Sequence, residues 1–494
     1  MSHLDLLVIH PGAAESIYGS LGEQLVAIEP PLWARLIAGY VKDRGFSVHI
    51  CDAEALALSP VHVAELAKVL NPRLICLAVY GHQPSASTQQ MVGASATARE
   101  IKKLWPDSTI IMTGGHVSAL PERTLLEEAI DYACVGEGPV TIHQLLLGND
   151  QEDVLGLVWR DATYFKQKRI EAIVVNPSAP LIEDLSQLHG NVWHLLPMHL
   201  YRAHNWQCFD NPDKRQPYAS IYTSLGCPWK CEFCCINAPF ESRRYRMRKP
   251  EDVVNEIKHL YYHYNVHTFK IVDEMFVLNE RHYTAIAQGI IDAGLGPLLN
   301  IWAYSRIDTV KEGNLALLRR AGFKWLALGI ESASAYVRDG ASKKMRNDDI
   351  VGVVRSIQNA DINVIGNYIF GLPDDDRVSM QETLALAMEL NTEFANFYSA
   401  QAYPGSPLYT QAVKEGWALP ETWAGFSQHN SSCRPLDTKH LGAKEVLIFR
   451  DTAFQRYFSN PRYQSMIVEK FGVETLEHVQ LMLTYKLERE LLAA

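Results

Sequence analysis

Apolar runs longer than a strand are missing from this chain, so it offers no stretch of the roughly 20 residues that a membrane-crossing helix needs. The first residues, Met1-Ser2-His3-Leu4-Asp5, lack the basic and apolar regions of a secretory leader. An excess of positive charge is missing too. The formal net charge is −10 over 494 residues, which argues against a nucleic-acid backbone or an anionic membrane as the principal partner. Cysteines number nine, and four of them fall between Cys227 and Cys235, which is not the layout of a disulfide ladder. A reducing, cytoplasmic setting suits such thiols. Solenoid-period repeats and low-complexity tracts are absent. No G-x-G-x-x-G follows the first apolar strand, so a nicotinamide site is poorly supported.

What remains is an ordinary globular composition, 47% hydrophobic and 21% charged, in a chain too long for one core; about 150 residues per domain suggests roughly three units. Residues 1–149 alternate short apolar runs with amphipathic stretches. Strands are expected at Leu6–His10, Ser47–Asp52, Leu74–Tyr80, Thr109–Thr113 and Tyr132–Val135, with helices at about Leu32–Asp43, Val61–Leu70, Gln89–Leu104 and Glu122–Glu128. Such βαβ repetition gives an α/β fold, a doubly wound, Rossmann-like parallel sheet covered on both faces, with ligands at the carboxyl ends of its strands. Residues 150–215 read as a connector with a hairpin at Gly156–Ile173, and a second βα series fills 216–405. Its strands are expected at Ala219–Ser224, Thr268–Val272, Leu299–Tyr304, Trp325–Ile330, Asn363–Phe370 and Phe394–Ala402. The segment 406–494 is mostly helical, over Lys444–Tyr457 and Val473–Leu492, and is expected to close the barrel and help choose the substrate. Trp423, Phe426, His429 and Cys433 are its candidate lining residues.

The chemistry concentrates in Gly226-Cys227-Pro228-Trp229-Lys230-Cys231-Glu232-Phe233-Cys234, a C-x3-C-x2-C triplet directly after an apolar strand. Thiolates are the soft ligands that iron–sulfur clusters need, and Gly226 lets the loop turn tightly. A [4Fe-4S] cluster usually takes four cysteines, so three leave one iron open to another ligand. A zinc knuckle with Cys235 as fourth ligand and a set of packed core cysteines are the competing readings. A basic strip, Arg243-Arg244-Tyr245-Arg246-Met247-Arg248-Lys249, reads equally well as a solvated face or as a substrate or phosphate contact.

The triplet resembles that of the radical S-adenosylmethionine (radical SAM) family, and the six βα repeats resemble its partial (β/α)6 barrel. The resemblance implies SAM chelated to the open iron at Cys227, Cys231 and Cys234. It also implies reductive cleavage to a 5′-deoxyadenosyl radical and a protein reductant such as flavodoxin or ferredoxin. Barrel chemistry collects at strand ends. Tyr304-Ser305-Arg306-Ile307-Asp308, Leu328-Gly329-Ile330-Glu331-Ser332 and Phe370-Gly371-Leu372-Pro373 resemble recurrent strand-end motifs of the cobalamin-dependent members. SAM contacts are therefore expected from Glu331 first, then Asp273, Glu274, Ser305, Arg306 and Gly371. Carboxylates suit its ammonium or ribose, and a guanidinium suits its carboxylate. Helix capping is the plain alternative for Asp273 and Asp308, and an ion pair is the plain alternative for Arg306 and Glu331.

The order Glu29-Pro30-Pro31-Leu32-Trp33, Gly45-Phe46-Ser47, Gly114-Gly115-His116 and Val135-Gly136-Glu137-Gly138 resembles the cobalamin (B12)-binding domain fused to many radical SAM enzymes. That resemblance implies cobalamin contacts at Tyr80, Ser85, Thr88, Gly114, Gly115, His116, Val135, Gly136, Glu137 and Gly138. The D-x-H-x-x-G motif of other cobalamin domains is absent, which implies base-off cobalamin without a histidine ligand, and neither His82 nor His116 is assigned to cobalt. A sheet that has lost its cofactor is the alternative. Together these implications point to a C-methyltransferase acting on an unactivated carbon of a small molecule. Cyclisation or oxidation without methyl transfer is the alternative within the family, as in an anaerobic cyclase of magnesium-porphyrin biosynthesis and a ring-contracting oxidase. A corrinoid or SAM sensor lies in a different class. A methylthiotransferase acting on tRNA is less well matched: Cys51, Cys76 and Cys134 lie on apolar strands, and Glu488-Arg489-Glu490 is no basic arm.

Overall fold

The computed structural model describes residues 4–19, 26–81, 83, 86–161, 173–345 and 349–493. Its N-terminal sheet contains β1 (Leu6–His10), β2 (Val48–Asp52), β3 (Leu74–Val79), β4 (Ile110–Gly114), β5 (Tyr132–Cys134), β6 (Leu157–Arg160) and β7 (Ile173–Val175) in the spatial order 2-1-3-4-5-6-7. The first five are parallel, and β6 and β7 extend the sheet antiparallel. The hairpin expected in the connector therefore belongs to the sheet edge, and residues 162–172 between its strands lie outside the described residues.

Every residue of β1 is buried because both faces are covered: Leu6 and Val8 enter one apolar cluster, and Leu7 and Ile9 enter another. The first cluster runs on into the second domain. Between the two domains lies the helix Leu32–Lys42, with nine buried residues in eleven. Such a helix is apolar nearly all round because no side of it meets water.

The second sheet is fully parallel, β8 (Tyr218–Ile221), β11 (Thr268–Ile271), β12 (Asn300–Arg306), β13 (Phe323–Glu331), β14 (Asn363–Phe370) and β15 (Phe394–Ser399), with β8 and β15 as its two edges. This is the expected partial barrel. A short ribbon of β9 (Ser224–Leu225) and β10 (Arg246–Met247) leads into and out of the cysteine loop. Helix Pro250–Tyr264 starts as its sequence indicates, with Pro250 at the first turn followed by Glu251 and Asp252.

The C-terminal helix Ala443–Phe458 packs along β15, where the Arg450 Nε donates to Phe397 O at 2.7 Å and the Tyr457 hydroxyl to Thr392 O at 2.6 Å. The long helix expected over Val473–Leu492 is in fact Val473–Thr484 and Glu490–Ala493, and a further helix occupies Pro461–Phe471. Asn460 caps that extra helix by accepting from the Arg462 N–H, and Gly472 separates it from the next with φ +92°. No described helix is long and apolar enough to cross a membrane.

Candidate active site

The rims of the two sheets face one another across a cavity of about 350 Å³. One wall belongs to the N-terminal domain: Trp33, Tyr80, Gly81, Gln83, Ser87 and Gly115. The other belongs to the barrel and its cysteine loop: Cys227, Cys231 and Cys234, with Glu274, Ser305, Arg306, Glu331 and Lys343.

The cysteine loop is held at both ends. Gly226 has φ +87°, and a Cβ there would sit 2.1 Å from Arg244 O, so only glycine fits. Further on, the Glu232 N–H donates to Ala341 O at 3.1 Å, and the Ser342 hydroxyl donates to the Glu232 carboxylate at 2.8 Å. Burial pushes the Cys227 thiol up to about 11 and raises Cys234 well above the ordinary thiol value, so metal binding would have to displace protons. Among the described residues no three His, Cys, Asp or Glu side chains converge on a single-ion site. The residues Cys227, Cys231 and Cys234, with Cys235 beside them, line one cavity wall instead. A polynuclear cluster takes each thiolate on a different iron, so it suits thiols that share a wall without meeting at one point.

Around the loop the barrel's strand ends divide into cavity-facing and supporting residues. Glu331 has the left-handed φ of +64°, and the β13–β14 register shifts between Gly329 and Glu331. Non-glycine residues held in this region mark sites that the surrounding structure over-determines. The turn aims the carboxylate into the cavity, where Lys343 Nζ lies 2.6 Å from Glu331 Oε1. Burial alone would lower the Lys343 ammonium, but Glu331 and Cys231 together hold it above its ordinary value. Lys343 has no place in the sequence motifs; it arrives on a loop after the short helix Ala335–Gly340.

Arg306 was expected to grip a SAM carboxylate through paired hydrogen bonds, yet its guanidinium is already committed. Its Nε and Nη2 lie 2.9 and 3.3 Å from the two Asp308 oxygens, and Nη2 donates to Lys344 O at 2.8 Å. The same group stacks 4.0 Å over the Trp229 ring and reaches to 3.8 Å from Cys231 Sγ. It therefore braces the cysteine loop, and Lys343 is a second cation on the same cavity wall.

Asp273 also supports the site from behind. It accepts from the Thr223 N–H at 2.6 Å and from the Thr223 and Ser224 hydroxyls, tying the second barrel strand to the start of the cysteine loop. Its neighbour Glu274 faces the cavity with one unpartnered oxygen, and burial pushes its carboxyl up to about 8. Gly371 is a packing residue: its φ is +83°, and a Cβ would lie 2.4 Å from Val446. Ser305 lines the cavity.

On the opposite wall Tyr80 stacks on Trp33, with ring centroids 4.6 Å apart, and donates to Gly136 O and Glu137 O at 3.2 Å. Tyr80 and Gly115 reach the cavity; Thr88, Gly114, His116, Val135, Gly136, Glu137 and Gly138 do not line it. Ser85, like His82, lies outside the described residues. His116 Nδ1 is 3.2 Å from the Thr88 hydroxyl, and its ring meets Trp423 edge-on at 4.4 Å. Burial, helped by Arg123, lowers His116 to about 3, so the ring is a neutral packing group.

Glu137 has an unforeseen role, shared with the basic strip. Its carboxylate meets Arg246 at 2.6 and 3.3 Å and accepts from the Ile182 N–H at 3.1 Å. Arg248 meets Glu256 at 2.6 Å, and Arg35, from the helix between the domains, meets the same carboxylate at 3.4 Å and donates to Ser220 O at 2.9 Å. Lys270 meets both Glu29 oxygens at 3.1 and 3.0 Å, with His204 3.3 Å from the first. Of the strip's buried arginines, Arg246 thus joins the domains directly, and Arg248 holds the Glu256 carboxylate that Arg35 reaches from the other domain.

Of the C-terminal candidates, His429 reaches a second, deeper cavity, while Phe426 and Cys433 are buried in packing. Gln428 and Tyr398, which line both cavities, carried no sequence signal; Tyr403, which lines both as well, follows the sixth barrel strand, where chemistry is expected to collect.

Comparison with known proteins follows this division. Residues 21–146 match the B12 binding domain family, and residues 221–387 match the radical SAM superfamily. The chain is 25% identical over 464 residues to an uncharacterized methyltransferase of Pyrococcus horikoshii, covering 92% of this chain and 93% of that protein. It is also 25% identical over 418 residues to an anaerobic magnesium-protoporphyrin IX monomethyl ester cyclase of Cereibacter sphaeroides, covering 82% of this chain and 63% of the cyclase. The fold is shared with the radical S-adenosylmethionine methyltransferase TsrM from Kitasatospora setae, with TM-score 0.69 at 16% identity over 98% of this chain and 99% of that one.

Proposed function

Because the chain joins a B12-binding domain to a radical SAM domain, and so belongs with the cobalamin-dependent radical SAM enzymes, we propose that it is a C-methyltransferase acting on an unactivated carbon of a small molecule. One observation carries the reading: the cysteine triplet and the rim of the N-terminal sheet wall the same cavity. When bound, the cluster with SAM supplies a carbon radical, and the corrinoid supplies a methyl group. The protein's part is placement and water exclusion. A substrate carbon held between the two walls is within reach of both.

In this reading Cys227, Cys231 and Cys234 hold the cluster. Glu274 and Glu331 receive the SAM ammonium and ribose, and Lys343 receives its carboxylate. Glu274, kept protonated by burial, ionises when an ammonium arrives beside it. On the other wall Tyr80, Ser87 and Gly115 form the cradle for the corrinoid, which binds base-off because the chain lacks the histidine motif that would ligate cobalt. The similarity to the Pyrococcus methyltransferase over nearly the whole chain favours methyl transfer. Similarity to the magnesium-protoporphyrin cyclase makes cyclisation the reading to be tested against it.

The test is anaerobic incubation of the cofactor-loaded protein with SAM and a low-potential reductant. S-adenosylhomocysteine and 5′-deoxyadenosine would both be quantified. Formation of both supports methyl transfer, and deoxyadenosine with no S-adenosylhomocysteine overturns it in favour of cyclisation or oxidation. Neither product, in protein carrying iron and corrinoid, would indicate a sensor.

A further inference from the structure

Beneath the first cavity lies a second of about 720 Å³, and Gln83, Tyr304, Asn367, Tyr398, Tyr403 and Gln428 line both. It descends inside the partial barrel and comes out where the helix Ala443–Phe458 runs beside residues 482–487. Resting on the reading above, we infer that this chamber is the substrate site, that the substrate enters through the C-terminal seam, and that it is an anion, a carboxylate or phosphate, carried on a flat apolar body.

The body follows from the inner walls. Trp302 packs edge-on against Tyr304 at 4.9 Å and against Trp206 at 5.1 Å, and Ile365, Phe394 and Phe397 add apolar surface. Aromatic walls of this kind favour a flat ligand that can stack or meet ring edges. Polar side chains also line the chamber, and several of them are held in pairs. Asn396 Nδ2 donates to Asn367 Oδ1 at 3.0 Å, and both residues line the chamber. A mostly apolar pocket with a small number of positioned polar groups is the usual form of a small-molecule site.

The charge follows from the seam. Of the charged side chains lining it, Arg450, Arg456 and Lys486 are basic and Asp451 is acidic. Asp451 is held by Arg450 at 2.7 Å and by Arg489 at 3.0 Å through both oxygens, so its charge is spent internally. Arg456 and Lys486 are exposed. A basic doorway in a chain of net charge −10 concentrates anions there, whereas Lys270, the other basic side chain on the lining apart from His204 and His429, is spent on Glu29. At the far end Glu29 is matched by Lys270, which lines the chamber beside it, so that end has no basic excess and an anion is oriented with its charge at the door and its apolar body toward the first cavity.

The experiment uses the full chain loaded with iron–sulfur cluster and corrinoid. Binding of 2-naphthoate, 2-naphthyl phosphate and neutral 2-naphthylmethanol is measured by isothermal titration. The expected result is that at least one anion binds tenfold or more tightly than the alcohol, and the better of the two tells carboxylate from phosphate. The surface double variant Arg456→Gln/Lys486→Gln should remove that preference while leaving the alcohol unchanged. Ile365→Trp, which fills the chamber, should weaken all three tenfold or more. Should Ile365→Trp fail to fold, the same displacement is read in wild type from quenching of tryptophan fluorescence by each probe. Equal binding of alcohol and anions, or a preference that survives the double variant, overturns the anion class. Probe binding that neither responds to Ile365→Trp nor quenches tryptophan overturns the chamber. Reductive SAM cleavage by the same preparation is scored separately. Its absence alongside an intact anion preference would sink the radical reading and leave this one standing.

Discussion

Glu331 and Lys343 lie 2.6 Å apart with both side chains buried, twelve residues distant in sequence and on opposite sides of a helix turn. An ion pair of this kind at a cavity wall exposes each partner to exchange when a zwitterionic ligand arrives. Replacing Lys343 by Met is expected to weaken SAM binding about 10- to 100-fold, the loss of one charge-assisted hydrogen bond of about 1.5–3 kcal/mol. Equilibrium binding on iron-loaded protein checks it. Unchanged affinity would take Lys343 out of the site, and unchanged iron content separates this effect from loss of the cluster.

Iron content itself tests the donor set. Cys227→Ala, Cys231→Ala and Cys234→Ala should each lose most of the iron of anaerobically purified protein, whereas Cys235→Ala should retain it. Cys235 also reaches the cavity wall, but it packs against Gly405, with its Cβ 3.6 Å from where a Gly405 Cβ would stand. Loss of metal in the Cys235 variant would instead favour a four-thiolate ion.

Stability should fall when the domain brace is cut. Glu137→Ala leaves the buried Arg246 unpaired, a change that costs about 3–5 kcal/mol. The double change Glu137→Leu/Arg246→Met should cost less than Glu137→Ala alone, because no charge is stranded. Denaturant unfolding of the three proteins decides, and a double variant less stable than the single would contradict the pairing.

The pH dependence has a defined sign at Glu274. Its carboxyl is raised from the ordinary 4.5 to about 8, so between those values the folded chain keeps a proton that the unfolded chain gives up. Stability of the cofactor-free protein should therefore decline as pH rises from about 4.5 toward 8 and then level off on this group's account. Glu274→Gln should flatten that part of the profile, as read by thermal unfolding at a series of pH values. Asp52 and Asp375, each raised to about 6, add declines that end lower and persist in the variant.

Gly371→Ala should destabilise by roughly 1–3 kcal/mol from its backbone conformation alone, with more from the contact with Val446. SAM binding per folded molecule should be unaffected. A selective loss of SAM affinity would return Gly371 to the cofactor site.

The fold was legible because its signals are local. The five apolar runs of the first sheet end within a residue or two of β1 to β5, since strands buried on both faces must be apolar throughout. The cysteine triplet was legible for the same reason: its ligands share one short loop. What escaped were partnerships between distant segments. Arg246 reads as part of a charged strip until Glu137, 109 residues earlier, is brought beside it. Lys343 stands in an unremarkable loop, and only the left-handed turn at Glu331 gives it a purpose. Arg306 takes up the ion pair that its sequence leaves open, with Asp308 two residues on as the partner. The helix Pro461–Phe471 was missed although Asn460-Pro461 offers both a cap and a first-turn proline.

The buried pairs Glu137–Arg246, Glu29–Lys270 and Glu256 with Arg35 and Arg248 do more than hold two domains together. They set the gap between the facing rims from side chains of the chain itself, as a gauge sets the width of a track. Variation can then be confined to the segment beyond β15. Helices there could be exchanged to admit a new molecule without resetting the span between the two rims.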